Sequence, residues 1–495
     1  MVIDVRRQPV VPDLNSVRQF SVLPVVIGGV LFIAYAILYL QLRQTLLPMM
    51  AVCGLCLSVL IVIRPAIGLI AVIACAAVVR VTIGTGAGTD SVIVASLASA
   101  FALVAGWTVH RMLHRRSLIL LPRFVAIPGA LFIVFTIFSL MWGRITLDPR
   151  VNFYPAFLRV QLAAAALSIV SVGIVFVGAD LLRHRSTRGA LIGFYIAAGF
   201  LALPLRSFSL GAIGEQLSFI NTRGLFGLWF VAICSAFGVA GGSRPLVVRL
   251  ALIGGAVGWV MMAFFREGSW VSGWLPAVIA MVITTLLARP KIGVPLLIAA
   301  LIGVTAYYSV VYDSLVTQQE KEGSLGGEFG RIELWQRNLE VIGPRVWLGT
   351  GPAGYALYYV TLVPNEAMST HSNYIDVLAQ NGAPGLLSLL GLLGGIGIMG
   401  VQTLRRVADD DDRALSCAVL GGLPAVMVAI WFGDWLIPFV YNQTIAGFDH
   451  SVYSWLMFAT LAGLYAQYRT TSEQSGPELR FRVVLHPNVA RALPE

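Results

Sequence analysis

Residues 124–142 read FVAIPGALFIVFTIFSLMW, 19 consecutive positions without one charged side chain. A helix of that length rises about 29 Å, close to the thickness of a bilayer's hydrocarbon core. In hydrocarbon every backbone N–H and C=O must be bonded internally, so such a run is a helix and not an open sheet. Outward from it the same signal repeats along the chain, at 22–40, 46–63, 65–79, 91–109, 160–178, 189–205, 224–241, 250–265, 270–287, 292–311, 385–401, 414–436 and 451–468. With 58% hydrophobic and 12% charged residues and a mean hydropathy of +0.83, the 495-residue chain has lipid as its main solvent. The expected fold is all-α, a polytopic transmembrane bundle of about 12–14 spans. The run at 65–79 is short; a thirteen-span or re-entrant arrangement is the alternative, and it would reverse the sidedness of one half.

A net charge of +10 raises the question of nucleic acid, but 32 of the 34 basic residues are arginines scattered between apolar runs, with no aromatic-interleaved groove. Membrane topology explains them better. With the N-terminal tail placed inside, alternate joints collect 22 of the 34 basic residues on that side. Both termini are then cytoplasmic. The chain divides into a tail (1–21), a first bundle (22–311), a long outward loop (312–384), a C-terminal set of spans (385–468) and a second tail (469–495). The N-terminus has no short apolar region with a small-residue cleavage site, so it reads as retained. Cys53, Cys56, Cys75, Cys234 and Cys417 lie in apolar runs and read as packing residues. Cys53 and Cys56 spell C-x-x-C without the soluble βαβ context a redox site needs.

The loop 312–384 is the natural place for function. In it Phe329, Ile332, Trp335, Leu339 and Ile342 recur at helical spacing between Gly326–Gly327 and Gly343–Pro344, which predicts an amphipathic surface helix with Arg331 one turn before Trp335. A second short helix is expected over 372–380, ended by Asn381 and Gly382, with His371 at its start. The helix dipole there favours a neutral imidazole that can accept a proton.

Arginines also gather at outward helix ends: Arg144, Arg150, Arg159, Arg206, Arg223, Arg266, Arg331 and Arg345. Topology gives no reason for them there. A guanidinium fork suits a polyanion such as a pyrophosphate, although any single one can instead snorkel to head groups. Two patterns carry less. Gly349, Gly351 and Gly354 spell G-x-G-x-x-G in the outward loop without a preceding buried strand, which argues against a dinucleotide site. Asp409 to Asp412, beside Arg405, Arg406 and Arg413, read as a solvated joint rather than a metal site.

Together, Gly330-Arg331-Ile332-Glu333-Leu334-Trp335, then PRVWLGTGPAG over 344–354, then His371-Ser372-Asn373-Tyr374-Ile375 and the stretch 382–386 resemble the signature loop of the O-antigen ligase and polymerase family. The resemblance covers about 60 residues in order and spacing; elsewhere it extends only to the number and apolar character of the spans. It implies a metal-independent, cofactor-free glycosyltransferase of the bacterial cytoplasmic membrane, working on the outer face with a polyprenyl (undecaprenyl) pyrophosphate-linked glycan as donor. The acceptor is a glycan or a lipid-linked hydroxyl, as in lipopolysaccharide and other surface polysaccharides. Arg331 and His371 match the family's loop arginine and histidine. Arg266, in Phe265-Arg266-Glu267, resembles its arginine at an earlier span end, though the usual Ser-Arg is Phe-Arg here. Arg223, in Asn221-Thr222-Arg223-Gly224, falls near a segment where the family places Asn and Pro.

The expected roles follow. Arg331 and Arg266 stabilise the leaving phosphate, Arg223 and Arg345 help to bind the pyrophosphate, and His371 takes the acceptor's proton, with inversion at the anomeric carbon. Ligase and polymerase stay unresolved at this level, with ligase-like transfer slightly favoured by the large loop. The rival from another class is a lipid-linked-glycan flippase or exporter, which calls for charge along a path through the bundle. Apart from Arg249 and Asp434 near their ends, the runs are almost free of charge. A purely structural scaffold leaves the Arg and His loop unexplained.

Overall fold

Two prolines mark where one helix stops and the next starts. Pro65 and Pro290 stand in the first turn of their helices, where a missing N–H costs nothing, and Arg64 and Arg289 before them have non-helical backbone. The computed structural model describes residues 46–79, 81–84, 92–114, 121–208, 222, 224–240, 244–266, 271–310, 312–313, 331–362, 370–439 and 445–474. The chain divides into two compact units, Met1–Val59 and Leu60–Glu495.

Helices α1 (Leu46–Ile63) and α2 (Pro65–Ala77) are followed by a hairpin of two three-residue strands, β1 (Thr82–Gly84) and β2 (Val92–Val94), antiparallel with Ile83 opposite Ile93. Next come α3 (Ala95–Leu113), α4 (Arg123–Ile145), α5 (Phe157–Leu181), α6 (Arg185–Ser207), α7 (Phe226–Ala240), α8 (Leu246–Arg266), α9 (Val271–Ala288) and α10 (Pro290–Ala306). The remaining helices are α11 (Arg331–Ile342), α12 (Gly354–Leu362), α13 (Asn373–Arg406), α14 (Asp410–Ala429) and α15 (Phe448–Gln474). Among the described residues, seven helices are long and apolar enough to cross a membrane. The chain is an all-α polytopic bundle, with a helix in every predicted run from 46–63 onward; the run 22–40 and the tail 1–21 lie outside the described residues.

Apolarity on all sides means different things at different depths. Helix α7 buries every residue from Phe226 to Val239, and most of α5, α14 and α15 is buried as well. On α10, by contrast, only Gly293 is buried, and Leu297, Ile298, Leu301 and Ile302 are exposed. Such a surface is stable only against lipid. Between them α13 lies along α4, α9 along α14, and α15 along α5. Helices α9 and α14 approach so closely that a Cβ on Gly421 would come within 2.1 Å of Thr284 Oγ1. Small residues at such a crossing give the backbone contact on which helix association in lipid depends.

One end of the bundle is tied by charge. Asp409 caps α14, its carboxylate accepting from the backbone N–H of Asp411 and Asp412, and three acids in the first turn complement the positive end of the helix dipole. Asp412 pairs at 2.6 Å with Arg188, whose side chain is 2% exposed. Arg188 also donates to Leu182 O, Arg183 O and Gln467 Oε1, and Tyr468 Oη donates to Asp412. Asp411 binds Arg244 at 2.6 Å, and Asp409 binds Arg185 at 3.2 Å. The expectation of a solvated acidic joint is corrected for one residue: Asp412 is buried on Arg188, whereas Asp409 and Asp411, 36% and 41% exposed, hold Arg185 and Arg244 at the solvent-accessible edge of the run.

A second correction concerns 414–436. The helix ends at Ala429, and 430–439 is irregular backbone that carries Asp434, fully buried, with Oδ2 accepting from Phe439 N–H at 2.7 Å.

Candidate active site

The site is built around a broken helix. Within α13, Gly382 (φ 72°, ψ −179°) separates a short segment, 373–381, from the long one, 383–406. A helix that ends inside a protein leaves carbonyls without partners. Here the glycine turn supplies them. Thr350 N–H and Oγ1 donate to Ala379 O, and Gly351 N–H donates to Gln380 O, all at 2.9 Å. Ala353 N–H donates to Gln380 Oε1 at 2.7 Å. The G-x-G-x-x-G pattern is thus a backbone cap for the helix that follows His371. At Gly349 (φ 81°) a Cβ would lie 2.1 Å from Gln380 O. Gly349→Ala is therefore expected to cost about 1–2 kcal/mol in backbone strain alone, and more through the clash. Thermal unfolding in detergent checks this, with Gly394→Ala, where nothing lies within 4 Å, as the harmless comparison.

His371 precedes the N-cap Ser372 and has a left-handed backbone (φ 51°). Among the described residues only Ala353, in the glycine turn, shares that conformation without being glycine. Both lie at this site, and strain of this kind persists only where the surroundings enforce it. The enforcing contacts are visible on both sides. Trp335 of α11 donates from Nε1 to Thr370 O at 2.7 Å, and its ring meets Trp431 edge-on at 5.2 Å. After the bend, Asn373 N–H donates to Ile430 O, Asn373 Oδ1 accepts from Leu436 and Ile437 N–H, and its Nδ2 donates to Ile437 O at 2.6 Å. Tyr374 Oη donates to Met427 O. The helix that Arg331 opens and the bend at His371 are thereby one assembly, joined through Trp335. The side chain of Arg331 lies outside the described residues.

The other predicted arginines separate into two groups. Arg266, the last residue of α8, donates from Nη1 to Arg206 O and Ser207 O at 2.9 and 2.6 Å, capping the end of α6. Arg206 stands over the Trp259 ring at 5.6 Å and donates to Thr222 O, next to Arg223, which is outside the described residues. Arg345, in the 3-10 turn Gly343–Trp347, belongs to the second group: its Nη2 lies 3.6 Å from Asp148 Oδ2 and its guanidinium 4.8 Å from the centre of the Tyr358 ring. Arg150 holds the same carboxylate, and Arg144 stands over Phe153 at 4.1 Å.

Hydrogen bonds from Arg150, with Arg345 nearby, keep the Asp148 carboxyl down at about 2. A depressed carboxyl contributes above its unfolded value of 3.8 and loses that contribution as the pH falls through 2. The tether on Arg345 is thus constant above about pH 5. Asp148→Asn is accordingly expected to leave the shape of the pH–activity profile above that point unchanged.

Sequence reading passed over Asp376. It is fully buried on the first turn after His371, and Oδ1 accepts from Tyr355 Oη at 2.5 Å and Thr370 Oγ1 at 2.6 Å. The spacing offered a signal, since an acid in the first turn of a helix faces its positive end.

Residues 229–390 match the family model described as O-antigen ligase. That stretch, about a third of the chain, is similar to the O-antigen ligase family. It runs from within α7 to within α13 and contains Arg266, Arg331, Arg345, His371 and Asp376, while Arg223 lies just before it. Among curated proteins none matches the chain significantly. The matched stretch therefore includes the break in the helix, the glycine turn and the strained histidine, and the match supports a membrane function of the O-antigen ligase and polymerase kind.

Proposed function

We propose that this protein transfers a glycan from a polyprenyl-pyrophosphate donor to an acceptor hydroxyl at the outer face of the bacterial cytoplasmic membrane, with both termini inside. The acceptor oxygen attacks the anomeric carbon and its proton passes to His371. The bond from that carbon to the phosphate oxygen breaks, and polyprenyl pyrophosphate leaves with the electron pair, so the configuration inverts. Arg331 and Arg266 stabilise the charge that develops on the leaving phosphate, and Arg223 and Arg345 hold the pyrophosphate. No nucleotide is available on that face, so the substrate arrives already activated, and neither metal nor cofactor has a step in this scheme. The predicted parts are the outward loop 312–384 between the bundles 22–311 and 385–468.

The observation that carries this reading is the His371 bend, a strained backbone tied through Trp335 to the helix that Arg331 opens. Incubating purified protein with a polyprenyl-pyrophosphate oligosaccharide and identifying what the sugar becomes attached to tests it. Attachment to a lipid or protein acceptor defines a ligase, and extension of the glycan a polymerase. Flipping in liposomes without transfer would overturn both. Arg331→Ala is expected to slow transfer about a hundredfold, the usual effect of losing one preorganised donor.

A further inference from the structure

A carboxylate buried without a cation is costly, because its charge loses water and gains no opposite charge in return. Asp376 is 0% exposed, forms no ion pair among the described residues, and keeps Oδ2 buried without a hydrogen bond. The repulsive field of Asp434 reaches it as well. A leucine would fill the space at lower cost, so the acid must do something there that packing does not.

Its contacts show what that is. Asp376 stands in the first turn of 373–381, yet its side chain reaches back past the N-cap Ser372 to Thr370, across His371. Thr370 Oγ1 also lies 3.1 Å from Ser372 O, so the hydroxyl on one side of the histidine is shared between two acceptors on the other. The carboxylate itself is held by Tyr355, whose ring is stacked on Phe439 at 4.3 Å and 9°. Phe439 is fixed in turn by Asp434, and Trp335 takes the carbonyl of Thr370. A left-handed histidine without such a brace would relax to ordinary backbone and turn its ring away.

We infer that Asp376 is a positioning residue, bracing the left-handed bend at His371 by accepting the hydroxyls of Thr370 and Tyr355. The inference rests on the glycosyl-transfer reading above and adds to it the device that aims the base. It concerns geometry, so the rate constant and not donor binding should respond; a misplacement of about 1 Å costs up to a hundredfold.

The test measures kcat and donor KM, with a polyprenyl-pyrophosphate oligosaccharide, for full-length purified variants. Asp376→Leu and Thr370→Val remove acceptor and donor respectively. Each is expected to lower kcat about tenfold to a hundredfold while donor KM stays within about twofold. Asp376→Asn and Thr370→Ser keep the hydrogen bonds and are expected to recover at least about a third of the wild-type kcat. Should Asp376→Leu not fold, Thr370→Val against Thr370→Ser decides alone. Wild-type kcat in Thr370→Val, or equal losses in Thr370→Val and Thr370→Ser, overturns the brace. His371→Ala in the same assay separates the two levels. If it is inactive while Thr370→Val is normal, only the brace fails; if it transfers at the wild-type rate, the catalytic assignment fails with it.

Discussion

His371→Ala is expected to reduce transfer by about 10²–10⁴-fold, the range spanned by general acid–base catalysis. The donor should still bind, because the loss falls on proton transfer and not on recognition of the pyrophosphate. Donor KM within about threefold of wild type, with kcat collapsed, is the pattern that fits. His371→Gln serves as a second variant: it preserves hydrogen-bonding capacity but does not take a proton near neutral pH, and it should be as slow as alanine. A glutamine variant with substantial activity would assign the imidazole a positioning task and leave the base to be found elsewhere.

The largest effect on stability is expected at the opposite end of the bundle. Asp412→Ala leaves the Arg188 guanidinium 2% exposed and without its carboxylate. Breaking one partner of a buried pair costs about 3–5 kcal/mol, because the surviving charge stays desolvated. Arg185→Ala removes a partner that is 65% exposed, and exposed pairs contribute about 1 kcal/mol at most. Thermal unfolding of the two variants in the same detergent should therefore separate widely. Equal midpoints would mean that this end has room for water or rearrangement around Arg188. Replacing Arg188 and Asp412 together by apolar residues is expected to recover much of the loss, as the charge left behind is then gone.

The helices were legible in the sequence because a membrane span is a property of the local run, and its apolar length needs no partner to be seen. Charge was legible as far as side, not as far as contact. Arg188, Arg185 and Arg244 were assigned to one side by alternation, and the structure brings them together on Asp409, Asp411 and Asp412. That Asp412 alone of them is buried could not be read, because a run of four aspartates looks the same whether it faces water or guanidinium. The burial of Asp376 and Asp434 was hidden because it is decided by segments apart in sequence: Tyr355 holds Asp376, and Asn373 holds Leu436 and Ile437 beside Asp434. The pairing of β1 and β2 was within reach, since Thr82-Ile83 and Val92-Ile93-Val94 flank a glycine-rich stretch of sequence. At the site, His371 and its helix were readable from the cap and the glycine, but the arginines were read as one cluster. Their individual partners could not be read: Arg345 lies against Asp148, and Arg266 caps the end of α6.

Because the turn at 349–353 closes the helix at 379–380 with main-chain groups, the two stretches form a lock and its bolt although some 30 residues divide them in the chain. A chimera that exchanges specificity between relatives has to carry 343–386 across as one piece. A junction cut anywhere between the glycines and Gly382 would leave both halves without a counterpart, whatever residues they bring.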